Sequence, residues 1–133
     1  MKKISIIIPC YNVEQYIAEC LASVFEQNML EQDFEVLIIN DGSTDQSQKV
    51  AEELSKNKSN VKIISQQNKG LGGARNTGIK NATGDYLLFL DADDRLFPMV
   101  VEDLLNIAQH ENLDILEFSA QGINEKGQIL YRV

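Results

Sequence analysis

Three aspartates, Asp91, Asp93 and Asp94, follow directly on a run of apolar and aromatic residues, Tyr86 to Leu90. Their charges therefore sit at the mouth of a segment that should be buried. Unpaired carboxylates this close repel one another and raise one another's pKa. A divalent cation relieves the repulsion. Mg²⁺ or Mn²⁺ takes one or two carboxylates and keeps positions open for phosphate oxygens. A plainer alternative is a solvated acidic turn before a helix, with Arg95 as its partner.

Two other clusters carry potential chemistry. From Asn68 to Gly78 the chain is too rich in glycine for an ordinary connector. Glycine lets backbone approach a ligand closely, and the free N–H groups of a helix start favour anions. Arg75 within it adds a fixed positive charge suited to a diphosphate. The same glycines also fit a flexible turn that ends one element and starts the next. Asp41 in Asp41-Gly42-Ser43 either caps a turn or accepts hydrogen bonds from a nucleobase edge. Tyr11 either stacks on that base or fills the rim of a crevice.

The elements that must position these groups alternate regularly. Ile4-Ser5-Ile6-Ile7-Ile8 and Phe34 to Asn40 are β-branched, nearly continuous apolar runs, which mark strands buried on both faces. Val61 to Ile64 and Asp85 to Leu90 are two further strands. Asn12, with Gln15 reaching back, is placed to cap a first helix carrying Ile17, Leu21, Val24 and Phe25. Ser43 is placed to cap a second, a short third spans Ala74 to Asn81, and Pro98 opens a fourth. Ile115 to Phe118 and Gln128 to Val133 read as additional strands, with hairpin-like flanks at Lys126-Gly127. Strand alternating with helix predicts one α/β domain over residues 1–133, with a mostly parallel sheet covered by helices on both faces. In such sheets ligands bind at the carboxyl ends of the strands, and all the polar clusters fall there.

Composition narrows the function classes. Hydrophobic residues make up 44% and charged residues 24%, enough for a core and no basis for disorder. The net charge of −8 argues against nucleic acid as a partner, because a phosphate backbone rewards clustered Lys and Arg. An acidic protein that handles a diphosphate needs a cation or a few placed basic groups. His110 is the only histidine, which excludes a Ser-His-Asp triad resting on any other histidine and places His110 itself at a surface helix end. Cys10 and Cys20 have no metal-ligand spacing and should be reduced thiols. No stretch reaches the roughly 20 apolar residues of a membrane span. The sequons Asn57-Lys58-Ser59 and Asn81-Ala82-Thr83 are patterns common by chance.

Taken in order, four segments resemble glycosyltransferase family 2, whose catalytic domain has the Rossmann-like GT-A fold. Ile4 to Asn12 is similar to the family's opening strand with its P-x-Y-N ending, and Ile38 to Asp45 to its D-G-S-x-D segment. Asn68 to Gly78 matches N-x-G-x-x-x-A-R-N-x-G, and Asp91-Ala92-Asp93 matches D-x-D. The resemblance implies that Pro9, Tyr11, Asn12 and Asp41 contact the nucleoside of a nucleotide-diphosphate sugar, most often a UDP-sugar. It implies Arg75 near the base or diphosphate, Asp91 and Ala92 on the ribose side, and Asp93, with Asp91, on Mn²⁺ or Mg²⁺. Transfer would invert the anomeric carbon and go to a glycan or lipid-linked acceptor. It would take place in the cytoplasm or at the inner face of the membrane. The family's general base lies well downstream of D-x-D, and only about forty residues follow Asp93 here. The chain is therefore expected to be a truncated piece that binds the donor but transfers sugar poorly, with its catalytic base beyond Val133.

Two alternatives stay open at this point. Gly70-Leu71-Gly72, with Asp91 nineteen residues after Gly72, loosely imitates a dinucleotide-binding fingerprint, although Arg75 stands in place of the third glycine. A nucleotidyltransferase or a non-catalytic nucleotide-binding domain would also join an α/β sheet to a carboxylate-held metal.

Overall fold

The computed structural model describes residues 1–132, so the final residue of the expected last strand, Val133, lies outside the described residues. Strand β1 (Ile4–Cys10) is buried along its whole length, as a run with no polar face must be. It lies inside a four-stranded parallel sheet of order β3-β2-β1-β4, formed with β2 (Phe34–Asp41), β3 (Val61–Gln66) and β4 (Tyr86–Phe89). Ile4 pairs with Phe34 on one side and with Tyr86 on the other. Pro9 lacks an N–H, and it sits beyond the last β4 partner, Ile7, where β1 is paired on the β2 side only.

Alternate residues of the strands feed two separate cores. Ile4, Ile6 and Ile8 face one side, with Val36, Ile38 and Leu88. Three helices cover that side: α1 (Ile17–Phe25), α2 (Ser47–Ser55) and α4 (Val100–His110). Ile7, Leu37 and Ile39 face the other side, where α3 (Gly70–Asn81) packs with Ala74. Helices on both faces of a mostly parallel sheet are the expected architecture. No helix among the described residues is long and apolar enough to cross a membrane.

Local signals were overridden in four places. Asn12 does not cap α1. It adopts φ +51, and α1 begins only at Ile17 without a side-chain cap. Ser43 does not cap α2, which starts at Ser47 after Asp45 has taken the Ser47 N–H at 2.9 Å. Helix α3 starts at Gly70, four residues before the expected Ala74, because tertiary contacts outweigh the poor helix propensity of glycine. Ile115 to Phe118 pairs with no strand. The terminal hairpin does form, from β5 (Gln121–Ile123) and β6 (Ile129–Arg132), with Gly127 at φ +78 in the turn.

Polar clamps hold the layers in register. Gln27, 4% exposed, donates to the Ser23 and Phe97 carbonyls and accepts from the Val101 N–H, tying α1 to the entry of α4. At the opposite end of the sheet the Glu35 carboxylate accepts from the Ser5 hydroxyl at 2.5 Å, the Thr83 N–H at 2.6 Å and the Thr83 hydroxyl at 3.0 Å. Burial works to raise the pKa of Glu35, but these donors and the nearby Lys2 outweigh it and hold the carboxyl below its usual range. A carboxylate lowered on folding stabilises fully above its unfolded value of about 4.3, and that contribution is lost as the pH falls through the lower folded value. Glu35→Gln should accordingly flatten the decline of melting temperature below about pH 4.3. Parallel wild-type and variant curves through the acid range would show that Glu35 plays no such part.

Candidate functional site

The carboxyl ends of β1, β2 and β3, together with the turn after β4, bring all the polar segments to one edge of the sheet. The first two are fastened to each other. The Asn12 side chain accepts from the Thr44 N–H at 2.8 Å, and the Asn12 N–H donates to the Ser43 hydroxyl at 3.1 Å. Val13 N–H donates to Ser47 and Glu14 N–H to Asp45, while Gln46 N–H returns a bond to Glu14. The positive φ at Asn12 turns the chain into this clasp, a conformation that Asn tolerates better than most residues. Asn12, Ser43 and Asp45 thus shape the crevice by holding its two walls together. Tyr11, next to the clasp, is half exposed at the rim, whereas Pro9 is buried in β1.

Asp41 is only 3% exposed, and one of its oxygens, Oδ1, accepts both from Gln66 at 2.8 Å and from the Lys69 N–H at 2.8 Å. Its carbonyl accepts from the Asn68 side chain at 3.1 Å. Asp41 therefore fixes the end of β3 and the entry to α3, and does not cap its own turn. Gly42 allows this at φ +78, since a Cβ there would come within 2.9 Å of the Asn68 nitrogen. Gln66 went unnoticed in the sequence. It bonds Asp41 and also accepts from the Thr77 hydroxyl at 2.5 Å, so it couples the crevice floor to α3. Its place as the last residue of β3, at the carboxyl edge of a parallel sheet, was the available signal.

On the far side of the crevice Asp91, Asp93 and Asp94 converge, with one oxygen of each lying within 4.8 Å of the others. Arg75 Nη2 reaches Asp91 Oδ1 at 3.1 Å, so the structure joins the glycine-rich segment to the acidic cluster. Arg95 pairs instead with Glu19 at 3.4 Å, which removes it as the cluster's partner. Ala92 is 2% exposed and belongs to the main core, leaving its backbone alone at the site. The negative field is felt by its neighbours. Burial first, then Asp93 and Asp91, pushes the Asp94 carboxyl up. Burial first, then Asp94 and Asp93, pushes the Cys20 thiol up to about 12. Three carboxylates facing one arginine leave excess negative charge, and their oxygen donors suit a hard divalent cation.

The family model described as glycosyl transferase family 2 matches residues 5–132. The chain belongs to glycosyltransferase family 2. Among curated relatives it is 42% identical over 113 residues to the uncharacterized glycosyltransferase EpsJ of Bacillus subtilis, covering 85% of this chain and 32% of that protein. It is 35% identical over 129 residues to the poly(ribitol-phosphate) beta-N-acetylglucosaminyltransferase TarS of Staphylococcus aureus, covering 96% of this chain and 22% of TarS. A crystal structure of TarS with UDP-GlcNAc superposes with a TM-score of 0.78 at 36% identity, over 83% of this chain and 32% of that one. The chain thus spans about a third or less of the length of these relatives. The fold of that structure matches the sheet described above, and the segments that resemble the family's motifs line its carboxyl edge.

Proposed function

We propose that this chain is a single donor-binding domain over residues 1–133 that holds a nucleotide-diphosphate sugar, a UDP-sugar foremost. The observation that carries this reading is the convergence of Asp91, Asp93 and Asp94 within 4.8 Å at the same carboxyl edge of the sheet as Tyr11 and Asp41. TarS, the relative of known structure, is described in complex with UDP-GlcNAc, which supports a uridine nucleotide. Tyr11, at the rim, offers a face for the base. Asp41, with only Oδ1 engaged by Gln66 and Lys69, offers an acceptor to the base edge. Pro9 and the Asn12 clasp set the crevice width, and the backbone at Ala92 lines the ribose side. Asp93 and Asp91 would hold Mn²⁺ or Mg²⁺, which when bound neutralises charge on the leaving diphosphate.

In the whole protein the reaction assigned is inverting transfer to a glycan or lipid-linked acceptor hydroxyl. Its general base must stand within hydrogen-bond reach of that hydroxyl. We assign the base to a segment outside these residues, so that this chain retains the donor without transferring it. Calorimetric titration of the chain with UDP should show binding in the presence of Mn²⁺ and little in its absence. Equal heats with and without metal would remove the cation from the reading. No binding of UDP, GDP or dTDP under either condition would leave family membership intact and end the donor-binding assignment for this chain.

A further inference from the structure

Strand β4 forms one edge of the sheet, with β1 as its only neighbour among the described residues. The Tyr86 N–H donates to the Lys3 carbonyl at 3.1 Å and the Leu90 N–H to the Ile7 carbonyl at 3.0 Å, so these residues turn their backbone toward β1. By the alternation of a strand, Leu87 and Phe89 turn their N–H and C=O groups to the free side. Such a row of unpaired groups is a template for another strand, and edges are usually blunted by charge, proline or a bulge. Tyr86–Phe89 has none of these. Its side chains are also short of cover. Leu87 and Phe89, on the α3 side with Ser5 and Ile7, stay exposed. On the other side a groove of about 550 Å³ runs between β4 and α4, lined by Leu88, Leu104, Leu105, Ala108 and Ile115. The charged residues that line it, Asp85 and Asp114, are both acidic, and neither enters an ion pair among the described residues.

The chain carries a strand that fits this edge. Strand β6 has four residues, as β4 has, and pairs only with β5 among the described residues. Ile129, Leu130 and Tyr131 are each more than half exposed, apolar surface that water disfavours. Arg132 ends the strand and Lys126 stands in the turn before it, and neither is in an ion pair among the described residues. Glu125 is the one acid from Gln121 to Arg132, so the hairpin is slightly basic on a chain of net charge −8. Two β4 edges facing each other would instead bring Asp85 of one protomer toward the Asp91 end of its partner, like charge on like.

We propose that two copies of this chain associate through these edges, β6 of each protomer adding antiparallel to the free side of β4 in its partner. Charge and side-chain alternation select the register, with Ile129 opposite Phe89 and Arg132 opposite Tyr86. Arg132 then lies beside Asp85, and Lys126 falls toward the Asp91 end of β4. Leu130 comes opposite Leu88, on the side of the groove, and enters it. Tyr131 and Ile129 come opposite Leu87 and Phe89 and cover them, the kind of cross-strand pairs that stabilise sheets. A slip of one residue would turn Leu130 to the other face and leave the groove empty. Reciprocal pairing uses the same two patches on both protomers and so closes as a dimer. The proposal is independent of the donor-binding reading, since none of these residues belongs to that site.

The test is the mass of this chain by sedimentation equilibrium over a series of concentrations, beside hydrogen exchange of the Leu87 and Phe89 amides. Mass should rise from that of one chain to that of two, and both amides should exchange more slowly as it does. Leu130→Asp should abolish the rise. Asp85→Lys and Arg132→Glu should each weaken the dimer about tenfold or more, as like charges do when set together at an interface. The two substitutions combined should restore it to within about threefold of the parent chain. All three positions are exposed, so the melting temperature of the dilute chain should stay where it is. A single-chain mass at every concentration overturns the proposal, and so does a dimer indifferent to Leu130→Asp. A double variant no stronger than the single ones removes the assigned register. Mass that climbs past two chains rules out reciprocal closure. Slow exchange of Leu87 and Phe89 in a chain that stays single would hand the β4 edge to the chain's own hairpin and sink the second copy as its occupant.

Discussion

Asp93→Ala should abolish the metal-dependent part of UDP binding, weakening it by about 100-fold or more, equivalent to about 2.8 kcal/mol. Of the three clustered carboxylates, Asp91 is already engaged by Arg75 at 3.1 Å, and the Asp94 carboxyl is pushed toward its neutral form by burial and by its neighbours. Asp93, exposed like Asp94, enters no ion pair among the described residues. It is thus the carboxylate most available to a cation. The same substitution relieves the repulsion that Asp93 exerts on Asp94, so the ligand-free chain should melt at the same temperature or slightly higher. Opposite signs for stability and binding separate loss of a ligand group from loss of the fold. Calorimetry with Mn²⁺ and UDP, beside a thermal melt, measures both. Retained binding with wild-type metal dependence would reassign the cation to Asp91 and Asp94.

Gly84→Ala should be among the most damaging single-methyl additions in the chain, costing roughly 3 kcal/mol in denaturant unfolding. A Cβ at this position would stand 2.6 Å from the carbonyl carbon of Ile4 and 2.6 Å from the nitrogen of Ser5. Both are backbone atoms of β1, so no rotamer change can make room. The Gly84 N–H also donates to the Ser5 hydroxyl at 2.8 Å, and that hydroxyl donates in turn to Glu35. Moving the chain aside would break this clamp and displace the start of β4 from β1. Gly72→Ala adds the same methyl group to open space, which makes it the natural control. Similar unfolding midpoints for Gly84→Ala and the parent chain would mean that β4 can shift without loss.

The strands were legible because their signal is redundant. Apolar runs, Ile6 to Ile8 in β1 and Val36 to Ile39 in β2, fill the strand centres, and both faces of both strands are buried. The candidate site was legible for the same kind of reason: polar residues cut these runs off abruptly at Asp41 and Asp91. What could not be seen was which polar group serves which neighbour. Asn12 carries the composition of a helix cap, yet Thr44, remote in sequence, claims its side chain. Asp41 has a turn signature, yet its oxygen is taken by Gln66 and Lys69. Gln27 and Gly84 act through contacts with Phe97 and Ile4, which no local pattern encodes. Ile115 to Phe118 has strand propensity without a partner, and propensity alone does not make a strand.

The position of β1 inside the sheet, between β2 and β4, also sets an order of events during synthesis. Its residues leave the ribosome before those of β4, so one flank stays bare until Tyr86–Phe89 has emerged and can pair with it. At about 5–20 residues per second that wait is on the order of ten seconds. Throughout it Ile4-Ser5-Ile6-Ile7-Ile8, a β-branched segment without charge, is available to any other nascent chain. The segment that anchors the finished sheet is therefore the one most in need of a chaperone while the sheet is being made.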